Sequence, residues 1–121
     1  MIEILSGFPD NIVAVACSGH VTKEDYKKVL EPHVDETLKK NDKIRLYYEV
    51  EPNFNGIDKS AVWEDFKVGM SHLLRWERMA VVTDVDWIEH TIKMFRFLTP
   101  GEIKVFPTSE KKAARDWVLA D

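Results

Sequence analysis

A single cysteine, five glycines and five prolines stand in a chain of 121 residues. A lone thiol, Cys17, forms no internal bridge, so no disulfide framework holds this chain together. The glycines are isolated, with no Gly-x-Gly-x-x-Gly and no Gly-Lys-Ser or Gly-Lys-Thr, which excludes the common phosphate-cradling loops. The four histidines, His20, His33, His72 and His90, do not pair at helical spacing. Neither His-Glu-x-x-His nor Cys-x-x-Cys occurs, so no metal site and no cofactor is expected. A basic excess is missing as well: 17 Lys and Arg face 21 Asp and Glu, a net charge of −4. Nucleic acid needs a basic footprint and is not an expected partner. No apolar run approaches the roughly 18 residues of a membrane span. The opening MIEILSGFPDN has neither a basic segment nor a small-residue cleavage site. The expectation is a cytoplasmic protein with at most peripheral membrane contact.

Nucleophilic chemistry finds no support either. Cys17 lies in an apolar run, where a thiol is an inert core group. Ser60 and Ser71 have no base beside them in sequence. Glu64 and Asp65 read as a solvated helix face. No catalytic residues are assigned.

Hydrophobic residues make up 45% of the chain and charged residues 31%, as in ordinary globular proteins. Residues 1–60 hold 8 basic and 11 acidic side chains, and residues 61–121 hold 9 and 10, so charge does not divide the chain. One domain over residues 1–121 is expected.

Ile2–Leu5 and Ile12–Cys17 flank Ser-Gly-Phe-Pro-Asp-Asn and read as a hairpin with a long loop. Thr22 is a plausible N-cap with Asp25 at the capping-box spacing. Tyr26, Val29, Leu30, Val34 and Leu38 then recur at helical spacing. Pro32 either kinks that helix or begins a second one. Ile44–Val50 is the strongest strand by propensity. Asp58 or Ser60 caps a helix running to about Leu74. Arg78–Thr83 is a strand, and Asp84 or Asp86 caps a helix running to about Leu98. Glu102–Phe106 is the last strand. Ser109 opens a final helix with Ala113, Ala114, Trp117 and Val118 on one side. The order ββαβαβαβα predicts an α/β fold. Its mixed, mostly parallel five-stranded sheet has one antiparallel pair at the start, with helices packed against it.

The informative surplus is apolar surface. On a helical wheel, Trp87, Ile88, Ile92, Met94, Phe95, Phe97 and Leu98 cover an arc of ~220°, well over the ~100° that one core contact needs. In the preceding helix, Val62, Trp63, Phe66, Met70, Leu73 and Leu74 also exceed one stripe. Helices 58–75 and 86–98 are therefore buried on most sides, either by the domain's own core or by a ligand, a second subunit or a membrane surface. The candidate contact residues are Trp63, Phe66, Met70, Trp87, Met94 and Phe97. Arg75, Arg78, Lys93 and Arg96 are candidates to meet an anionic head group.

Gly19-His-Val-Thr-Lys-Glu-Asp-Tyr26, the Ile44–Glu49 strand, and Arg78-Met-Ala-Val-Val-Thr-Asp84 followed by Asp86-Trp87 resemble the SpoIIAA-like family over nearly the whole chain. The resemblance implies a fold like that of STAS domains, with an affinity to CRAL-TRIO lipid-binding domains. It implies no enzymatic activity and two candidate roles. One is binding of a small apolar or lipid-like ligand. The other is STAS-type regulation, in which a serine is phosphorylated and a protein partner or a second copy of the chain is bound. Relatives of the regulatory type carry Asp-Ser-Ser before the helix after the third strand. Here Glu51–Ser60 offers only Ser60, which serves equally well as a helix cap.

Overall fold

A computed structural model describes residues 1–96 and 100–121, with the side chains at positions 66, 69, 70, 73 and 95 also outside the described set. Its main sheet has five strands: β1 (Ile2–Ile4), β2 (Ile12–Cys17), β4 (Ile44–Val50), β6 (Trp76–Val82) and β7 (Glu102–Phe106). Their spatial order is β1-β2-β4-β6-β7, with β1 antiparallel to β2 and every other pair parallel. The expected sheet is therefore present. A two-strand parallel ladder, β3 (His20–Val21) with β5 (Gly56–Ile57), adds a feature that periodicity did not signal, because two residues are too few to show a period of two.

Each parallel step moves one place further across the sheet, and right-handed crossovers then put all three connecting helical segments on one face. The first spans residues 23–40, the second is α3 (Lys59–Ser71) and the third is α4 (Asp86–Phe95). The opposite face is packed by α5 (Lys111–Leu119), whose Ala114 and Val118 are fully buried against Ile12, Ala14, Tyr47, Ala80 and Val82. Ala113, expected on that side, is exposed.

The first helical segment answers the question Pro32 raised. A proline inside an α-helix lacks the N–H for its i−4 bond and clashes with that carbonyl. Here α1 (Lys23–Asp25) runs into a π turn (Tyr26–Leu30) before α2 (Glu31–Lys40), and the Glu31 N–H bonds the Tyr26 carbonyl five residues back. The wider turn brings Pro32 to the first turn of α2, where its missing N–H costs least. The segment begins with the expected capping box. Thr22 accepts from the Asp25 N–H at 3.2 Å, and Asp25 accepts from the Thr22 N–H at 2.8 Å.

Other expected ends differ. Asp58 holds the N-cap position of α3, but its carboxylate bonds His20 Nε2 at 2.5 Å and so ties β5 to β3. Ser60 is the second residue of that helix and caps nothing. α3 stops at Ser71 and a 3₁₀ turn (Leu73–Arg75) leads into β6, which starts at Trp76 rather than Arg78. Val85, not Asp84 or Asp86, is the N-cap of α4. Asp84 instead accepts from the Thr108 N–H at 3.0 Å and from the Thr108 hydroxyl. That carboxylate links the ends of β6 and β7 and holds a 3₁₀ turn (Thr108–Glu110), so α5 begins at Lys111 rather than Ser109. The expected reach of the third helix to Leu98 lies outside the described residues.

Backbone closeness decides one glycine. A Cβ on Gly101 would sit 2.4 Å from the Trp76 carbonyl oxygen and 3.2 Å from that of Glu77. Gly101→Ala is expected to destabilise the fold by about 2 kcal/mol, because a backbone atom cannot rotate aside as a side chain can. Thr22→Ala, which removes the cap, is expected to cost about 1 kcal/mol. Urea unfolding of both variants against the parent checks the ranking.

Candidate functional site

The helical face of the sheet divides into a sealed half and an open half. Register places Val13, Val15 and Cys17 of β2 beside Leu46, Tyr48 and Val50 of β4. Leu46 and Tyr48 in turn neighbour Met79 and Val81 of β6, then Ile103 and Val105 of β7. Cross-strand neighbours share a face, so all of these point toward the helices. Under residues 23–40 the packing is complete: Val13, Val15 and Cys17 are each 0% exposed, beneath buried Tyr26, Leu30 and Val34. Further across, Leu46, Tyr48, Met79, Ile103 and Val105 all keep solvent contact.

α3 contacts α1 and the π turn, and its buried Ala61 joins the core formed by β2, β4 and the first helical segment. α4 approaches the edge strand β7. Among the described residues, the strands on the side of α3 and α4 are thus less fully covered than those under residues 23–40.

A polar contact joins the first helical segment to the central strand. The Tyr26 and Tyr48 hydroxyls meet at 2.8 Å. Burial pushes the Cys17 thiol up to about 12 and both phenols well above their usual range, so all three stay neutral. Cys17 is thus the inert thiol that its apolar strand implied.

Asp65, on α3, is exposed at the surface, and desolvation by the surrounding protein pushes its carboxyl up to about 6. No cation among the described residues is within ion-pair distance of it. Glu49, on the opposite face of the sheet, shows the compensated case. It accepts from the Tyr47 hydroxyl at 2.8 Å and pairs with Lys111 at 3.2 Å. Burial opposes its ionisation, but those partners outweigh burial and hold its carboxyl below the usual value.

The residues singled out by the wheel take varied places. Trp63 is 59% exposed, Trp87 49% and Met94 73%. Trp87 and Met94 are seven positions apart and so share one stripe of α4. Ile88 and Ile92, half-buried, form the stripe toward the fold. These three exposed side chains are surface, not core. Phe66 and Met70 belong to α3, with side chains outside the described set, and Phe97 lies outside the described residues.

The candidate cations do not gather. Arg75 donates to the Leu38, Asn41 and Asp42 carbonyls at 2.8–2.9 Å, closing the end of α2. Arg78 donates to the Trp117 and Ala120 carbonyls at 3.0 and 2.7 Å, lies 5.6 Å from the Trp117 ring, and so closes α5. Lys93 pairs with Glu89 at 2.8 Å, and Arg96 also has a partner. Ser60 is exposed at the start of α3. A shallow depression of about 630 Å³ at the starts of β4, β6 and β7 includes Arg45 and Arg78, both already bonded to carbonyls of the chain end.

Asp65 was legible only as a helix-surface acid. The signal that could have separated it is its place four residues after buried Ala61, on the same side of α3. Its raised carboxyl has a stability consequence. A folded value above the unfolded one gives stability that is full below about pH 3.8 and lost as pH rises through about 6. Asp65→Asn is therefore expected to remove that loss. It should stabilise the protein at pH 7 by about 1 kcal/mol, a figure discounted for the residue's solvent contact. The gain should vanish near pH 4 when urea unfolding of variant and parent is compared.

Among the described residues, no three His, Cys, Asp or Glu side chains converge as a metal site, and no helix is long and apolar enough to cross a membrane. The SpoIIAA-like family model matches residues 12–119. No curated protein matches the chain. A solved structure of an uncharacterised DUF3478-family protein with a SpoIIAA-like fold, from Shewanella loihica PV-4, superposes with a TM-score of 0.73 at 26% identity. The match covers 98% of this chain and 92% of that one. With a mostly parallel five-stranded sheet, its crossover helices and the family pattern over residues 12–119, the chain belongs to the SpoIIAA-like family.

Proposed function

We propose that this protein is a non-enzymatic binding domain that holds a small apolar or lipid-like molecule in the cleft beneath α3 and α4. The observation that carries the reading is the unsealed half of the sheet. Five apolar or aromatic side chains that face the helices keep contact with water, while three neighbours under residues 23–40 have none. Leaving such surface wet costs about 25 cal/mol per Å² relative to covering it. A ligand that covers it recovers that free energy. The exposed Trp87–Met94 stripe on α4 extends the apolar character to the outer surface, where a membrane or a second copy would meet it.

A regulatory alternative draws on Ser60. It is exposed in the first turn of α3, where a phosphate would face the positive end of the helix dipole. Ser60→Ala with unchanged phosphorylation and partner affinity would remove that alternative.

Native mass spectrometry of gently purified protein, followed by solvent extraction, tests the main reading. A bound apolar molecule released on denaturation, above a control protein handled alike, supports it. Filling the cleft provides the second test. Met79→Trp is expected to weaken binding of the neutral probe N-phenyl-1-naphthylamine at least fivefold. Trp87→Gln with Met94→Gln, on the outer stripe, should leave that affinity within twofold. Equal binding by parent and Met79→Trp would place the probe elsewhere, and loss of a dimer in the double variant would assign the stripe to a subunit contact.

A further inference from the structure

Resting on the cleft reading above, we infer that the molecule held there carries an uncharged acceptor oxygen, of the ketone or ester kind, and that the indole N–H of Trp76 donates to it.

Trp76 opens β6 and pairs in register with Ile44. The register shifts just beyond that pair and leaves Glu77 unopposed, so Trp76 and Met79 both turn toward the helices and join the cluster on that face. Met79 keeps contact with solvent, whereas Trp76 is 5% exposed. The Trp76 Nε1 is enclosed and has no hydrogen-bond partner, and among the described residues it is the one buried side-chain nitrogen or oxygen in that position. Similar demands are met elsewhere. The Tyr26 and Tyr48 hydroxyls meet at 2.8 Å, Thr37 donates to the His33 carbonyl at 2.7 Å, and Tyr47 donates to Glu49 at 2.8 Å. An enclosed donor without a partner is costly, and an indole nitrogen donates but does not accept. What Trp76 lacks is therefore an acceptor.

The surroundings narrow the choice of acceptor. Bulk water does not reach an enclosed nitrogen. A resident water needs about two to four polar contacts. The Trp76 cluster is chiefly apolar, with Leu38, Ile44 and Ala61 among its members, and no second side-chain nitrogen or oxygen in it needs a bond. A carbonyl oxygen on an apolar molecule needs only the one donor. A carboxylate would bring a charge that a single neutral donor does not compensate. The cations at this end of the sheet are already engaged: Lys43 donates to the Leu74 carbonyl, Arg75 to those of Leu38, Asn41 and Asp42, and Arg78 to those of Trp117 and Ala120. Trp76 also lines the depression at the starts of β4, β6 and β7, beside Leu74 and Gly101, so an opening adjoins the residue whose donor is unmet.

The test displaces N-phenyl-1-naphthylamine from the full chain with 2-nonanone or with 2-methyl-1-nonene, in which a methylene group replaces the carbonyl oxygen. Trp76→Phe keeps an aromatic ring and removes the N–H. Relative to the alkene, the ketone should lose about tenfold in potency in Trp76→Phe, and change by less than about twofold in Trp87→Phe, which removes an exposed indole N–H. Circular dichroism checks that each variant is folded. A second readout uses the parent protein alone and stands even if Trp76→Phe does not fold. The Trp76 indole proton, assigned by triple-resonance NMR, should move downfield with the ketone and stay in place with the alkene. An unchanged ketone-to-alkene ratio in folded Trp76→Phe, or an indole signal indifferent to the ketone, overturns the acceptor inference and leaves the cleft reading standing. A cross-peak from that proton to a bound water in the presence of 2-nonanone assigns the donor to a resident water and overturns it as well. If the naphthylamine probe does not bind, or neither compound displaces it, the cleft reading falls too.

Discussion

The hydrogen bond between the Tyr26 and Tyr48 hydroxyls stands at the seam of this fold. Tyr26 comes from the first helical segment and Tyr48 from the central strand of the sheet. On one side of that contact the helix and β2 bury Val13, Val15, Cys17, Leu30 and Val34 together. On the other side, Leu46, Met79, Ile103 and Val105 keep contact with solvent. Two phenols that satisfy one another let the boundary between dry and wet halves fall inside the molecule without orphaning either hydroxyl. Placing Tyr26 in the mouth of a π turn is part of the same arrangement. The wider turn accommodates Pro32 further along and sets the direction from which the phenol reaches the sheet.

The backbone plan was legible because it follows from strong local signals. Ile12–Cys17, Ile44–Val50 and Glu102–Phe106 are β-rich runs bounded by turn residues, and the alternation with helical spacing leaves a parallel sheet as the economical arrangement. Helix ends were less legible, for a specific reason. Acidic residues before a helix usually cap it, but Asp58 and Asp84 each found a partner from a distant segment, His20 and Thr108. Tertiary bonds of that kind leave no trace in local spacing.

The site divides in the same way. Apolar surplus on the second and third helices was visible in a wheel, and Trp63, Trp87 and Met94 do stand on the surface. The Tyr26–Tyr48 contact was not visible, since its members come from positions 26 and 48 on two different elements. Arginines misled in the opposite direction. Arg75 and Arg78 looked free to meet an anion, yet helix ends leave carbonyls that need donors, and a guanidinium has several to give. Charge near an apolar stripe therefore says little until the backbone's own demands are met.

The sheet's two margins carry a consequence for how this protein behaves in a crowded solution. β1 is three residues long, and β7 alternates exposed Glu102 and Lys104 with its inward side chains. A short border and a charged border both resist the addition of a foreign strand. Exposed Val62, Trp63, Trp87 and Met94 stand on helices, whose internal backbone groups are already bonded and offer no template for growth. The molecule can carry greasy patches for reversible encounters without inviting the strand-by-strand stacking that leads to fibrils.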